Sequence, residues 1–477
     1  MHYLNAKKTL LFGLEAEKQG NLKNIKMKVR RFSQTQGLFI FPNIDNNYDE
    51  LFEAFQLTRL GSIYNAIPWD EMVKEFHLKE YAKGPQCIFS PRGKIALMIL
   101  KHYAGCSDSK LIEQLNGNIH YQIFCDIIIP PSAPIANYKI VSEIRCELAA
   151  KLDIERLQKV LAKHWKPYMT NLDSMVCDAT CYESDIRYPT DIKLLWEAVE
   201  WNYRMLVFCS QKLRIQRPRT KYNKWVRRYT NYSKSKRPSR KEKRALRRAL
   251  LKLLNKINLC LIPLENQLTS SFDNRYWQRR DASQIVLEQQ WGYFFDQEKP
   301  TNRIVSLDKP YIRPIVRGKE VKKVEFGAKV NKIQVDGISF IEHLSFDAFN
   351  EGIRLKKSIW MTQKLFGKKL KVVGADRIYA NNKNRTYVTK LGIKTDFKRK
   401  GRPSKHKNQF DQLAVMITKE RATRLEGSFG TDKEHFLLKR IKARTKQTEI
   451  LWMFFGIHTS NAIRIGKRMA KSKLKAA

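Results

Sequence analysis

Acidic residues are scarce in this chain. Its 477 residues hold 46 Asp plus Glu against 91 Lys plus Arg, a formal charge of +45. A surface so unbalanced repels itself and attracts polyanions, so a nucleic-acid partner is expected; charge alone also fits a ribosomal or RNA-processing protein. Long apolar runs are missing too. No stretch approaches the ~18 uninterrupted apolar residues of a membrane span, and the N-terminus has no apolar signal core. A cytoplasmic, nucleoid-associated protein with no membrane partner and no small-molecule substrate is the expectation. The eight cysteines include no CxxC pair, and the nine histidines form no HxxxH, which argues against structural zinc. Reduced thiols fit best, and Cys177 and Cys181 read as small apolar fillers. No internal repeat is evident.

What is present suffices for a core: 43% hydrophobic and 11% aromatic residues, over a length suited to two or three domains. Residues 1–50 read as a basic, partly ordered leader. Residues 51–157 carry helical patterning. Trp69, Met72, Val73 and Phe76 recur at 3–4 spacing after Pro68. Ile95–Tyr103 is an apolar helix that Gly105 is placed to end, and Ser107 or Asp108 can cap Leu111–Leu115. This pair suits a helix-turn-helix DNA reader and any small helical bundle alike.

Residues 170–460 read as mixed α/β, interrupted by a basic helical insertion over 197–300. Met175-Val176-Cys177 is a strand that runs into Asp178. Between Lys212 and Lys256 stand 19 Lys or Arg and one acid, Glu242, with Tyr222, Trp225, Tyr229 and Tyr232 interleaved. That mixture favours a phosphate-tracking surface, with Arg227, Arg228, Lys241 and Arg244 as contacts. From Ile304 the period becomes that of a sheet, with a hairpin at Asp336-Gly337. A helix near Phe349–Leu365, a strand Lys371–Ala375, a helix to about Leu391, a strand Ile393–Phe397 and a long helix from about Gln412 to Ile441 complete it. Residues 461–477 form a basic tail, a flexible phosphate contact or a solubilising end. His458 and Asn461, one turn apart, read as a satisfied polar pair.

Cleavage of phosphodiesters with two divalent metals needs carboxylates converging from separate segments. Asp178 and Asp376 each follow an apolar strand, and Glu426 shares a helix face with Lys433. Each has an ordinary alternative: a strand-end Asp caps turns, and a helix Glu joins a salt-bridge ladder.

At these residues the chain resembles DDE-type bacterial insertion-sequence transposases. The resemblance is carried by Cys177-Asp178-Ala179-Thr180 with Ile186–Asp191, by Arg313–Lys319 with Val324–Lys329, by Val373–Tyr379, and by Leu425-Glu426-Gly427-Ser428-Phe429-Gly430 with Lys433. These blocks keep the family's order, and the likeness covers about residues 51–465. It implies a ribonuclease-H-like mixed sheet with flanking helices, the basic helical insertion, and an all-α N-terminal domain for DNA binding or dimerisation. Asp178, Asp376 and Glu426 are then the catalytic and metal-binding residues. Two Mg2+ ions per site, replaceable by Mn2+, would activate water and stabilise the leaving oxygen, and the exposed 3′-hydroxyl would attack target DNA. The partners implied are double-stranded DNA, both terminal inverted repeats and target, and a second copy of the chain, because two ends must meet.

Relatives often carry an Arg four residues before the Glu, where this chain has Ala422, and a Tyr that is absent here. Arg421 or Arg424 can stand in for the Arg, and Lys433 is placed to hold a phosphate. Asp185 is the acid most easily mistaken for Asp178. Arg377 is a further DNA contact. Lys400 and Arg402, within Lys400-Gly401-Arg402-Pro403, resemble an AT-hook core or form a plain basic loop. A catalytically inactive or repurposed DDE-fold DNA-binding protein or nuclease is the alternative function.

Overall fold

The protein is described by a computed structural model covering residues 31–32, 42–80, 87–316, 324–398 and 407–476. Most of the leader, Gly318 and Lys319 of the hairpin block, and Lys400 and Arg402 lie outside the described residues. The chain forms two compact units, Met1–Thr170 with Phe455–Ala477, and Asn171–Phe454.

The first unit is helical: α1 Pro42–Gln56, α2 Arg59–Asn65, α3 Trp69–Glu75, α4 Pro91–Ala104, α5 Asp108–Gly117, α6 Ile119–Phe124, α7 Ile140–Ala150 and α8 Ile154–Trp165. The local signals act as expected. Gly105, at φ 63°, ends α4, and the Ser107 hydroxyl accepts the Lys110 N–H to start α5. Apolar residues on α4 face inward almost all round it, so it is a core helix. Lys101 and Arg145 both reach Asp108, at 2.7 and 2.9 Å, and fix the turn between α4 and α5. His458 and Asn461 are buried and hydrogen-bonded at 3.1 Å.

The second unit is built on a seven-stranded mixed sheet. Its strands are β1 Ser174–Ser184, β2 Pro314–Val316, β3 Val324–Val335, β4 Ile338–Ser345, β5 Val372–Ala375, β6 Lys394–Thr395 and β7 Arg440–Ile441. β3 pairs antiparallel with β1, β2 and β4, whereas β5 and β7 run parallel to β1, and β6 runs parallel to β5. Asp336 and Gly337 turn the β3–β4 hairpin with φ of 49° and 77°, the left-handed pair such a tight turn demands. β3 is buried along nearly its whole length because helices cover both faces.

Between β1 and β2 stand α9 Asp191–Lys212, α10 Tyr222–Lys234, α11 Arg240–Gln267 and α12 Asn274–Trp291. They share an apolar cluster of their own that includes Leu195, Val199, Leu250, Leu254, Ile257 and Val286. Around the sheet lie α13 Leu355–Phe366, α14 Asn382–Lys390, α15 Lys407–Glu420 and α16 Gly427–His435. The last helix, α17, spans Lys446–Ala476, so the basic tail is helical rather than flexible.

Two boundaries differ from the sequence reading. The helix near Phe349 starts only at Leu355, behind a 3-10 turn, Glu351–Ile353, that Asn350 caps. The long helix over Gln412–Ile441 is three pieces, with a π-helical turn, Arg421–Glu426, between α15 and α16. It stops at His435 because Leu437 turns left-handed, at φ 59°, and the Leu438 N–H returns to the Asp432 carbonyl. Arg440-Ile441 then joins the sheet beside Glu183-Ser184.

Candidate functional site

Cys177 of β1 is in register with Ala375 of β5. The residues that follow, Asp178 inside β1 and Asp376 just beyond β5, therefore stand at one level; β1, expected to end at Asp178, runs on to Ser184. Asp178 is largely buried, and one of its oxygens accepts the Ala179 N–H at 2.8 Å. Burial pushes its carboxyl up to about 6; the Ala179 N–H opposes this, Glu351 and Asp376 add to it, and Arg421 offsets part. Asp376 is more exposed and caps the 3-10 turn Arg377–Tyr379.

A further acid beside these two escaped the sequence reading. Asp396 follows β6 as Asp376 follows β5, and it accepts the Ala375 N–H at 3.2 Å. Burial again raises its carboxyl, against the pull of the Ala375 N–H and Arg421. The signal was there, an acid closing a short strand, but the strand is two residues long. Arg421 sits between two of these acids, 3.7 Å from Asp376 and 3.5 Å from Asp396.

Glu426 is exposed at the end of the π turn. Among the described residues, no three His, Cys, Asp or Glu side chains lie close enough together to hold a metal ion. The structure thus brings Asp178 and Asp376 together and leaves Glu426 apart from them. Arg424, half exposed, pairs with Glu420 at 3.2 Å and reaches Asp336 at 3.9 Å. Lys433 lies over the Tyr182 ring at 6.0 Å, and Arg377 is exposed. Asp185, the competing acid, pairs with Arg440 at 2.6 Å.

In the helical insertion Arg227, Arg228, Lys241 and Arg244 are all exposed. The interleaved aromatics turn largely inward, although the Arg228 guanidinium lies over the Trp225 ring at 5.1 Å. Tyr229 is buried and stacks on Trp196 at 4.4 Å, Tyr222 stacks on Tyr203 at 3.7 Å, and Trp225 and Tyr232 pack against the same core. Of the four aromatics in the expected phosphate-tracking face, Tyr229 is thus withdrawn into the core, and Tyr222, Trp225 and Tyr232 stay partly exposed. Those rings pack on the bundle's apolar interior, and α10 leaves a polar, largely basic side outside.

A family model described as "Transposase DDE domain" matches residues 373–453, the stretch from β5 through Asp376, Glu426 and Lys433 into α17. A second, described as "Transposase domain (DUF772)", matches residues 48–147 in the helical unit. The chain belongs to the DDE-type insertion-sequence transposases. Asp178 lies outside both matched stretches of this transposase. Comparison with curated proteins finds no match, and neither does comparison with solved structures.

The donors suit the divalent metals that such transposases use. Asp178 and Asp376 offer hard carboxylate oxygens, and Glu351 and Asp376 add to the upward push of burial on the Asp178 carboxyl, against the Ala179 N–H and Arg421. A divalent cation between Asp178 and Asp376 would relieve that repulsion.

Proposed function

We propose that this transposase binds the terminal inverted repeats of an insertion sequence as a dimer, and catalyses metal-dependent strand cleavage and strand transfer. The observation that carries the proposal is the level pairing of Asp178 with Asp376, like charges held side by side on adjacent parallel strands. The ribonuclease-H-like reading of the core is supported by the same sheet, antiparallel on one side of β1 and parallel on the other.

In this reading Asp178, Asp376 and Glu426 hold two Mg2+ ions. Bound there, the metal supplies an activated water and stabilises the leaving oxygen of an in-line displacement. The protein's own groups position the DNA and its charge. Arg421 limits the negative charge around Asp376 and Asp396. Lys433, one face along from Glu426, holds a phosphate beside the cut. Arg227, Arg228, Lys241 and Arg244 follow the backbone of the same duplex.

The test is cleavage by the full chain of DNA carrying the repeats that flank its gene, with Mg2+ present and 3′ ends resolved on a denaturing gel. Asp178→Asn, Asp376→Asn and Glu426→Gln should each remove cleavage and retain repeat binding. Cleavage that survives all three overturns the ligand assignment. Repeat binding without cleavage by the parent itself would mark a DNA-binding descendant instead.

A further inference from the structure

Two consecutive polar residues in the middle of β3 are wholly buried, and each serves a different arm of the site. Lys332 lies opposite Asp178 in the β1–β3 register, so the two share a face of the sheet. On that face its ammonium donates to Asp432 at 2.6 Å and to Ser428 at 3.1 Å, both on α16, the helix that begins one residue after Glu426. Tyr182, two strand positions on from Thr180, donates to the same Asp432 oxygen at 2.7 Å.

Asn331 faces the other way. Its carbonyl oxygen accepts the Tyr379 hydroxyl at 2.7 Å. Tyr379 closes the 3-10 turn that Asp376 caps, and its N–H returns to the Asp376 carbonyl at 2.9 Å. The Asn331 amide donates to Glu342 at 2.7 Å and to Ser358 of α13 at 3.1 Å. The β3–β4 register slips between Asn331 and Lys332. That bulge gives β4 its extra residue at Glu342, and Arg354 holds the Glu342 carboxylate from its other side.

A buried Lys is expensive, and an apolar residue of its volume would hold a sheet to a helix equally well. From this we infer that Asn331 and Lys332 are positioning residues for the carboxylate site: Asn331 sets Asp376 through Tyr379, and Lys332 sets Glu426 through Asp432 and Ser428. One dipeptide, on the strand paired with that of Asp178, thereby ties the two remote acids to the first. The inference rests on the reading of Asp178, Asp376 and Glu426 as metal ligands.

It is tested by titrating the full chain with Mn2+ in a calorimeter well below its unfolding temperature, with thermal unfolding recorded in parallel. Parent and Asp178→Asn come first. Equal Mn2+ binding by the two overturns the ligand reading and this inference with it. Where Asp178→Asn loses binding, Tyr379→Phe is expected to weaken Mn2+ affinity roughly ten- to hundred-fold, the usual effect of removing a group that orients a ligand. Lys332→Met should do the same but leaves the buried Asp432 without its cation, held by the Tyr182 hydroxyl. The double variant Lys332→Met with Asp432→Leu removes both charges; it should unfold near the parent temperature and still bind Mn2+ weakly. Parental Mn2+ affinity in either Tyr379→Phe or the double variant, with Asp178→Asn deficient, overturns the joint assignment.

Discussion

Arg421 stands between Asp376 and Asp396, 3.7 and 3.5 Å from their carboxylates, and is mostly shielded from solvent itself. A cation so placed holds the two acids together, and it opposes the upward push of burial on the Asp396 carboxyl. Asp178, one strand further in, forms no ion pair of this kind among the described residues, and the Ala179 N–H and Arg421 offset only part of what burial does to its carboxyl.

Replacing Asp178 should for that reason separate stability from activity. Without metal at neutral pH, Asp178→Asn is expected to raise the unfolding free energy by about 1–2 kcal/mol, because the buried charge is gone. It should abolish cleavage at the same time. Thermal unfolding with and without Mg2+ checks the first effect: the parent should gain stability from the metal and the variant should not. A variant less stable than the metal-free parent would show that the carboxylate is satisfied as it stands.

The exposed face of the helical insertion should govern the salt dependence of duplex binding. Changing Arg227, Arg228, Lys241 and Arg244 together to Ala should flatten the plot of log affinity against log salt by roughly 3 to 4, near 0.9 for each phosphate no longer neutralised. Fluorescence anisotropy across a salt series measures this. Tyr229→Ala is the contrasting variant. It opens the stack on Trp196, should cost about 3 kcal/mol, and should leave the slope of the folded protein unchanged.

At Gly374 the Ile417 side chain of α15 presses directly on the sheet. A Cβ there would run into the Ile417 side chain and touch that of Val176. Gly374→Ala should destabilise the chain by about 1–3 kcal/mol, and adding Ile417→Ala should return part of the loss. Denaturant unfolding of the two variants decides it; additive losses would refute the clash.

His343 on β4 should make the protein weaker in mild acid. Burial lowers its affinity for protons, and Arg354 lowers it further, only partly balanced by Glu342. The unfolded chain then binds more protons than the folded one below about pH 6.5, so stability falls as pH drops through that range. His343→Gln should flatten this part of the stability profile, measured by denaturant midpoints between about pH 5 and 7.5. An unchanged profile would assign the acid sensitivity elsewhere.

Much of the architecture was legible because local chemistry agrees with the tertiary outcome. Gly105, Ser107 and Asp336-Gly337 act where they stand, and the apolar run before Asp178 is the central strand. The acids at Asp178 and Asp376 stood out as charges at the ends of buried segments. Other features depend on partners distant in sequence. Asp396 ends a strand of two residues whose pairing with β5 is invisible locally. Lys332 and Asp432 lie 100 positions apart, and each reads alone as one more surface charge in a chain full of them. Tyr229 of α10 was misread because a basic neighbourhood hides an apolar stripe that closes only on α9 and α11.

The π turn alters how the helix around Glu426 should be counted. Its backbone bonds reach one residue further than those of an α-helix, so it admits an additional residue without displacing what lies on either side. Arg421 stands five places before Glu426, and in such a turn five places amount to about one revolution, the interval that four span in a regular helix. Counted this way, the spacing favours Arg421 over Arg424 as the stand-in for the arginine expected four before the glutamate, with Ala422 as the added residue. A deletion of Ala422 should consequently be tolerated far better than replacement of its neighbour.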